Sequence, residues 1–341
     1  MLNFRGNKKT VSGIVLVCVS TFLTLFLFEI VLRLWPLREI TMNDPYHYTM
    51  TTNEVKFGVP FYTYREIFPM QFDLRGYYKK SRGLIEYHFN QYGARWLKAE
   101  EQKIGDQNVI VIGDSLTYGF GVRYEDAFIF KVQNSLNKTG IHLSFVNFST
   151  PGFDSRECLD AYNRVKDKIP HRYVIYGLHV NDLIKFPTSY VTSKVRRIRI
   201  KVREWSKAMD FMLGQVEKIK SRHENIKKLL EPSNVWQHYF EDNMNAIKAL
   251  KMETEKRNAE FLVVILPILV NVREETFRPV YDGIEAQLAN NKIDFIDLSG
   301  SVSSYKDSEL WIMPFDQHPN EIANQIFAEK LTSFLVKEMK G

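Results

Sequence analysis

One serine, Ser115, sits between an apolar run and a glycine cluster in "VIGDSLTYGFGV" (111–122), and one of the eight histidines, His318, has a carboxylate, Asp316, two residues upstream. A neutral serine hydroxyl is a weak nucleophile near pH 7 and needs a base to take its proton. Imidazole suits that task, and a carboxylate on its other nitrogen fixes the tautomer. Two more features could serve the same chemistry. Gly152, in "STPGF", offers a backbone amide with no side chain in the way, and "GLHVNDL" presents Asn181 and Asp182. Taken one at a time, each is an ordinary turn or helix-cap residue.

Their shared placement in the chain is less ordinary. Short, continuously apolar runs occur at 108–113 (NVIVIG), 143–148 (LSFVNF), 173–178 (YVIYGL), 261–269 (FLVVILPIL) and 294–298 (DFIDL). Strands buried on both faces read this way, and parallel sheets bury both faces. Helical spacing alternates with them: Phe128, Val132 and Leu136 before Gly140, then Leu159, Tyr162, Val165 and Ile169, and finally Ala323, Phe327, Leu331 and Leu335. The order predicts an α/β fold, a flavodoxin-like three-layer α/β/α sandwich on a five-stranded parallel sheet. Ligands of such sheets bind beyond the C-terminal strand ends. Ser115, Gly152 and Asn181 each follow a predicted strand, and Asp316 and His318 precede the final helix.

The 341 residues, 45% apolar and 25% charged, describe a folded chain. Net charge is only +6 and no nucleic-acid motif occurs, so no nucleic-acid partner is expected. Cys18 and Cys158 are the only cysteines and predict no disulfide framework. No histidine or cysteine cluster has metal-ligand spacing, so neither metal nor cofactor is expected. At the N-terminus Arg5, Lys8 and Lys9 precede the uncharged run 11–28, followed by Trp35 and Pro36. At about 1.5 Å per residue, with its flank, this run can cross a hydrocarbon core of roughly 30 Å. No small-residue cut site follows, so the reading is an uncleaved transmembrane anchor at 11–35 behind a cytoplasmic tail at 1–10, with the remainder extracytoplasmic. Residues 36–106 read as an aromatic lead-in packed on a catalytic domain at 107–341.

The constellation resembles the SGNH hydrolases, also called the GDSL family of esterases and lipases. By that resemblance Ser115, in Gly113-Asp114-Ser115-Leu116, is the nucleophile, and Asp316 and His318 complete a triad. The amides of Ser115 and Gly152 and the side chain of Asn181 form the oxyanion hole. Two departures stand out. His179 replaces the glycine usual two residues before the asparagine, and the acid and base are spaced D-x-H where D-x-x-H is commoner. The D-x-H form also occurs among relatives that acetylate polysaccharides.

The resemblance implies a serine esterase acting on acyl or acetyl esters, of a lipid or an acylated glycan. An O-acyltransferase passing the acyl group to a cell-envelope glycan is the alternative, and an inactive membrane-tethered binding protein is a third. An insertion at about 185–258 interrupts the family pattern. It opens with "SKVRRIRIKVREW", whose Lys194, Arg196, Arg197, Arg199, Lys201 and Arg203 alternate partly with Val and Ile. The alternation predicts an amphipathic strand, and "MDFMLGQVEKIK" a helix; the basic run suits a solvated face, a cap over the crevice, or a patch for anionic lipid.

Overall fold

The computed structural model describes residues 8–34, 63–68, 83–98, 100–105, 107–183, 198–199, 201–202, 205–214, 234–313 and 316–340. Arg5, Trp35, most of the lead-in between 35 and 82, and Lys194, Arg196, Arg197 and Arg203 lie outside the described residues. The chain forms two compact units: residues 1–50 with 187–228, and residues 51–186 with 229–341.

In the larger unit the sheet has eight strands rather than the five expected, because the lead-in contributes β1 (Thr63–Phe68), β2 (Gly83–Phe89) and β3 (Arg95–Trp96). These pair antiparallel, and β3 joins the sheet through Arg95 opposite Asn147. The five apolar runs become β4 (Asn108–Gly113), β5 (Ser144–Asn147), β6 (Tyr173–Leu178), β7 (Glu260–Ile265) and β8 (Asp294–Asp297). They pair in parallel in the order β5-β4-β6-β7-β8. Every residue of β4 is buried, as its unbroken apolar run requires.

Helices α2 (Ser115–Tyr118), α3 (Phe128–Lys138), α4 (Ser155–Val165), α5 (Val180–Leu183), α6 (Asn234–Glu255), α7 (Arg278–Asn290), α8 (Asp307–Leu310) and α9 (Glu321–Lys340) belong to the same unit; α1 (Lys8–Leu34) belongs to the other. Within the larger unit α3 packs on α9, with Phe128 edge-on to Phe327 at 6.0 Å between ring centroids, and α4 packs on α6. From β4 the chain crosses through α3 to β5, then returns through α4 to β6 on the other side of β4. Right-handed crossovers in opposite directions put α3 and α4 on opposite faces and leave a crevice at the C-terminal end of β4, where Ser115 lies. Close packing fixes the floor of that crevice. A Cβ at Gly177 of β6 would come 1.9 Å from Thr117 Oγ1, so α2 rests directly on a strand that must be glycine there.

In the smaller unit α1 meets a helical stretch at 207–214. The Glu29 carboxylate accepts hydrogen bonds from the amides of Lys207 (3.0 Å) and Ala208 (2.8 Å) and from the Ser206 hydroxyl (3.1 Å). Phe28 packs edge-on to Phe211 at 5.8 Å between centroids. Residues 198, 199, 201 and 202 are helical, which corrects the strand reading of this segment. The reason is tertiary: Arg199 is buried in a 2.9 Å ion pair with Asp210 and packs against Gly214, so the alternating charges do not form one solvated face. Among the described residues no helix is long and apolar enough to cross a membrane. Within the expected anchor the side chains of Val11, Ser12, Ile14, Val15 and Cys18 lie outside the described set.

Candidate active site

Ser115 opens α2 directly after β4. Asp114 caps that helix, its Oδ1 accepting from the Leu116 amide at 2.8 Å, so the strand turns sharply into the helix at the serine. The helix ends at Gly119 (φ 77°), where a Cβ would meet Ala127 Cβ at 2.7 Å and Arg95 Nη1 at 2.9 Å. Arg95, fully buried, is what holds this turn. Its guanidinium donates to the carbonyls of Tyr118, Gly119 (2.6 Å) and Val122 (2.7 Å) and lies over the rings of Tyr87, Tyr118 and Tyr124. Burial pushes the Tyr124 phenol above its ordinary pKa, opposed by the Arg95 charge, so the ring stays neutral beside the cation.

His318 arrives from the other end of the chain, on β10 (Asp316–Pro319), which pairs with β9 (Trp311–Met313). Asn320 fixes the segment. Its Oδ1 accepts from the amides of Ile322 and Ala323, and its Nδ2 donates to the carbonyls of Glu309 and Trp311, so one buried residue caps α9 and ties down the strand before it. Asn324 Oδ1 accepts from the Phe128 amide at 2.9 Å and so docks α9 on α3.

The result brings three predicted residues together. His318 Nε2 lies 2.8 Å from Ser115 Oγ, and His318 Nδ1 lies 2.5 Å from Asp316 Oδ1, which also accepts the His318 backbone amide at 3.1 Å. Because a carboxylate oxygen only accepts, Nδ1 carries the proton and Nε2 is left to accept from the serine. The Phe120 ring, 4.8 Å from the imidazole centroid, flanks the base.

The two remaining predicted residues follow the strands on either side of β4. Gly152 (φ 86°) follows β5 on a loop tied to the end of β4 by a 3.0 Å bond from the Thr150 amide to the Gly113 carbonyl. Asn181 lies on α5, just after β6. Its carboxamide Oδ1 is 2.5 Å from His179 Nδ1.

Behind it lies an acidic cluster. Asp182 Oδ2 accepts from Tyr176 Oη (2.9 Å) and from the His179 amide (3.0 Å), while its Oδ1 is buried with no hydrogen-bond partner among the described residues. Burial, and then the nearby Asp114 charge, raise the Asp182 pKa well above its ordinary value of 3.8. The native state therefore holds a proton that the unfolded chain releases as pH passes about 4, so this group makes stability fall as pH rises from there toward its folded pKa. Asp182→Asn removes that proton while keeping an acceptor for Tyr176 and His179. We expect it to be at least as stable as wild type near pH 8, with a flatter dependence of melting temperature on pH above about 5. A large loss of stability at pH 8 would mean that an ionised Asp182 is needed.

Cys158 is free and buried, and burial raises its thiol pKa well above the ordinary value, which leaves it a poor nucleophile. The Cys18 side chain lies outside the described residues. Among the described residues no group of three His, Cys, Asp or Glu side chains could hold a metal ion.

Sequence reasoning had no hold on Arg95, a lone arginine in an irregular segment, and treated His179 only as a departure from a motif. The alternating burial of Ile85, Tyr87 and Phe89 is a period-two signal that could have located β2.

No family model and no curated protein matches the sequence. Solved structures similar to this chain include the psychrotrophic esterase EstA from Pseudoalteromonas sp., 13% identical, with a TM-score of 0.43 over 69% of this chain and 100% of that one. A member of the lipolytic protein G-D-S-L family from Veillonella parvula is 12% identical, with a TM-score of 0.41 over 67% and 97%. The acetylxylan esterase Axe2 from Geobacillus stearothermophilus is 15% identical, with a TM-score of 0.41 over 68% and 95%.

Proposed function

We propose that this chain is a serine esterase of the SGNH type, hydrolysing carboxylic esters through a covalent acyl-enzyme. The observation that carries this reading is the continuous hydrogen-bonded line from Asp316 through His318 to Ser115. As Ser115 Oγ attacks the ester carbonyl, its proton passes to His318 Nε2, and Asp316 stabilises the imidazolium. The tetrahedral oxyanion accepts from the amides of Ser115 and Gly152 and from the Asn181 carboxamide, donors typically worth about 3 to 4 kcal/mol each in the transition state. Collapse breaks the ester C–O bond, and His318 returns the proton to the leaving alkoxide. Water, deprotonated by the same imidazole, then releases the acid and regenerates the serine.

The test is to incubate the protein with p-nitrophenyl acetate, with and without oligosaccharide acceptors, and weigh the products and the protein. Free acetate with a transient acetyl group on Ser115 is expected. Acetylated oligosaccharide would favour acyl transfer instead, and the absence of both turnover and acetyl-Ser115 would overturn the reading.

The enzyme is held at a membrane by residues 11–35, with residues 36–341 outside the cytoplasm. Arg5, Lys8 and Lys9 on one flank support that orientation. So do the exposed apolar side chains of α1, among them Leu16 (70%), Phe22 (69%) and Leu27 (60%), which a water-soluble helix turns inward. Trp205, Met209 and Met212 leave a second apolar stripe exposed on and beside the stretch at 207–214 that Glu29 docks to α1. A reporter active only outside the cytoplasm, fused after Gly341, should therefore be active, and a silent fusion would reverse the orientation.

A further inference from the structure

His179 occupies the hinge between β6 and α5, and its backbone is fixed on both sides by Asp182: its amide donates to Asp182 Oδ2 at 3.0 Å, and its carbonyl accepts from the Asp182 amide at 2.9 Å. The ring therefore has little freedom. Its Nδ1 faces two oxygens, Asn181 Oδ1 at 2.5 Å and Asp114 Oδ2 at 3.8 Å. Asp114 immediately precedes Ser115, is fully buried, and leaves that Oδ2 without a hydrogen-bond partner among the described residues.

These neighbours decide which atoms face each other. Were the Asn181 amide turned over, its Nδ2 would donate to a bare Nδ1, and the lone pair of that nitrogen would also confront the Asp114 carboxylate. A proton on Nδ1 bonds Asn181 Oδ1 and turns a positive edge, not a lone pair, toward the more distant Asp114 Oδ2, so Nδ1 donates and Asn181 Oδ1 accepts. Burial lowers the His179 pKa, opposed by the Asp114 charge and the bond to Asn181, and it is the position of these two oxygens beside Nδ1 that places the neutral ring's single proton there. With Oδ1 engaged, the Asn181 Nδ2 is the end left over, and among the described residues it has no hydrogen-bond partner.

We propose that His179 is a positioning residue of the oxyanion hole, holding Asn181 by its carbonyl oxygen so that the amide nitrogen is presented to the charge developing on the substrate. The motif that the sequence resembles has glycine at this position, so here a side chain takes over an orientation that would otherwise be left to the backbone. The proposal rests on the esterase reading for its kinetic consequence but not for its geometry.

Two measurements on the full-length protein separate the two. Nitrogen NMR of histidine-labelled protein should show His179 as the Nδ1–H tautomer, shifting toward a mixture in Asn181→Ala. An Nε2–H tautomer in wild type would overturn the proposal whether or not the protein turns over esters. In kinetics with p-nitrophenyl acetate, His179→Phe should lower kcat by about ten- to a hundredfold, the cost of a misplaced donor, with KM within about twofold of wild type. His179→Gln, which keeps a donor, should recover part of the loss. In the Asn181→Ala background His179→Phe should cost nothing further, because its effect travels through that amide. Equal losses in both backgrounds, or a full kcat in His179→Phe, would overturn the proposal. Ester turnover absent from wild type and unchanged by Ser115→Ala would instead reject the esterase reading, with the tautomer still deciding the role of His179.

Discussion

Ser115→Ala and His318→Ala are each expected to lower ester turnover on the order of a million-fold, and the double variant is expected to be hardly worse than either alone. The reason is geometric. His318 Nε2 is 2.8 Å from the serine oxygen, so removing the base leaves a hydroxyl that cannot shed its proton, and removing the serine leaves a base with nothing to deprotonate. Asp316→Asn should cost less, about ten-thousand-fold, since the imidazole remains but loses its tautomer and the partner of its imidazolium. A fluorophosphonate probe should label wild type and not Ser115→Ala. The nucleophile assignment fails if purified, folded Ser115→Ala retains wild-type turnover or is still labelled at the site.

Arg95→Met is expected to be the most damaging single change away from the triad, lowering stability by about 4 kcal/mol or more. It strips the carbonyls of Tyr118, Gly119 and Val122 of their buried donor, and an unsatisfied buried acceptor costs about 1 to 3 kcal/mol. The total is a large share of the roughly 5 to 15 kcal/mol that separates folded from unfolded domains. Because those carbonyls shape the turn after Ser115, the fraction that stays folded should also react more slowly with the fluorophosphonate. Arg95→Lys should recover little, because an ammonium cannot reproduce the planar fork that reaches the separate carbonyls or stack flat on Tyr87 and Tyr118. Urea denaturation decides the matter: a loss in Arg95→Met below about 1 kcal/mol, with normal labelling, would show that the turn holds itself.

The parallel core was legible in the sequence because burial on both faces writes itself as an unbroken apolar run, and β4, β6 and β7 fall within a residue or a few of the runs that predicted them. Ser115 and His318 were legible for a related reason: their value depends on coming just after a strand and just before a helix, and both junctions have local signatures. Arg95 left no such trace, since what it does is set by carbonyls at 118–122 and by rings drawn from β2 and the turn. The segment around Arg199 was misread because alternation of charged and aliphatic residues serves a strand or a helix equally well. Its pairing with Asp210 settles which, and that is a tertiary fact. His179 was visible as a residue out of pattern, but its effect depends on one neighbour two positions on and another, Asp114, far back in the chain.

The serine and its base are 203 residues apart in sequence, and the base comes just before the terminal helix that Asn320 caps and Asn324 docks. During synthesis the serine, the glycine and the asparagine have all emerged long before the imidazole exists. Any fragment that stops short of residue 318 carries the hydroxyl without the imidazole that lies 2.8 Å from it. On the proposed reading, the ability to attack an ester is withheld from any product that ends before residue 318, however completely the earlier strands have folded.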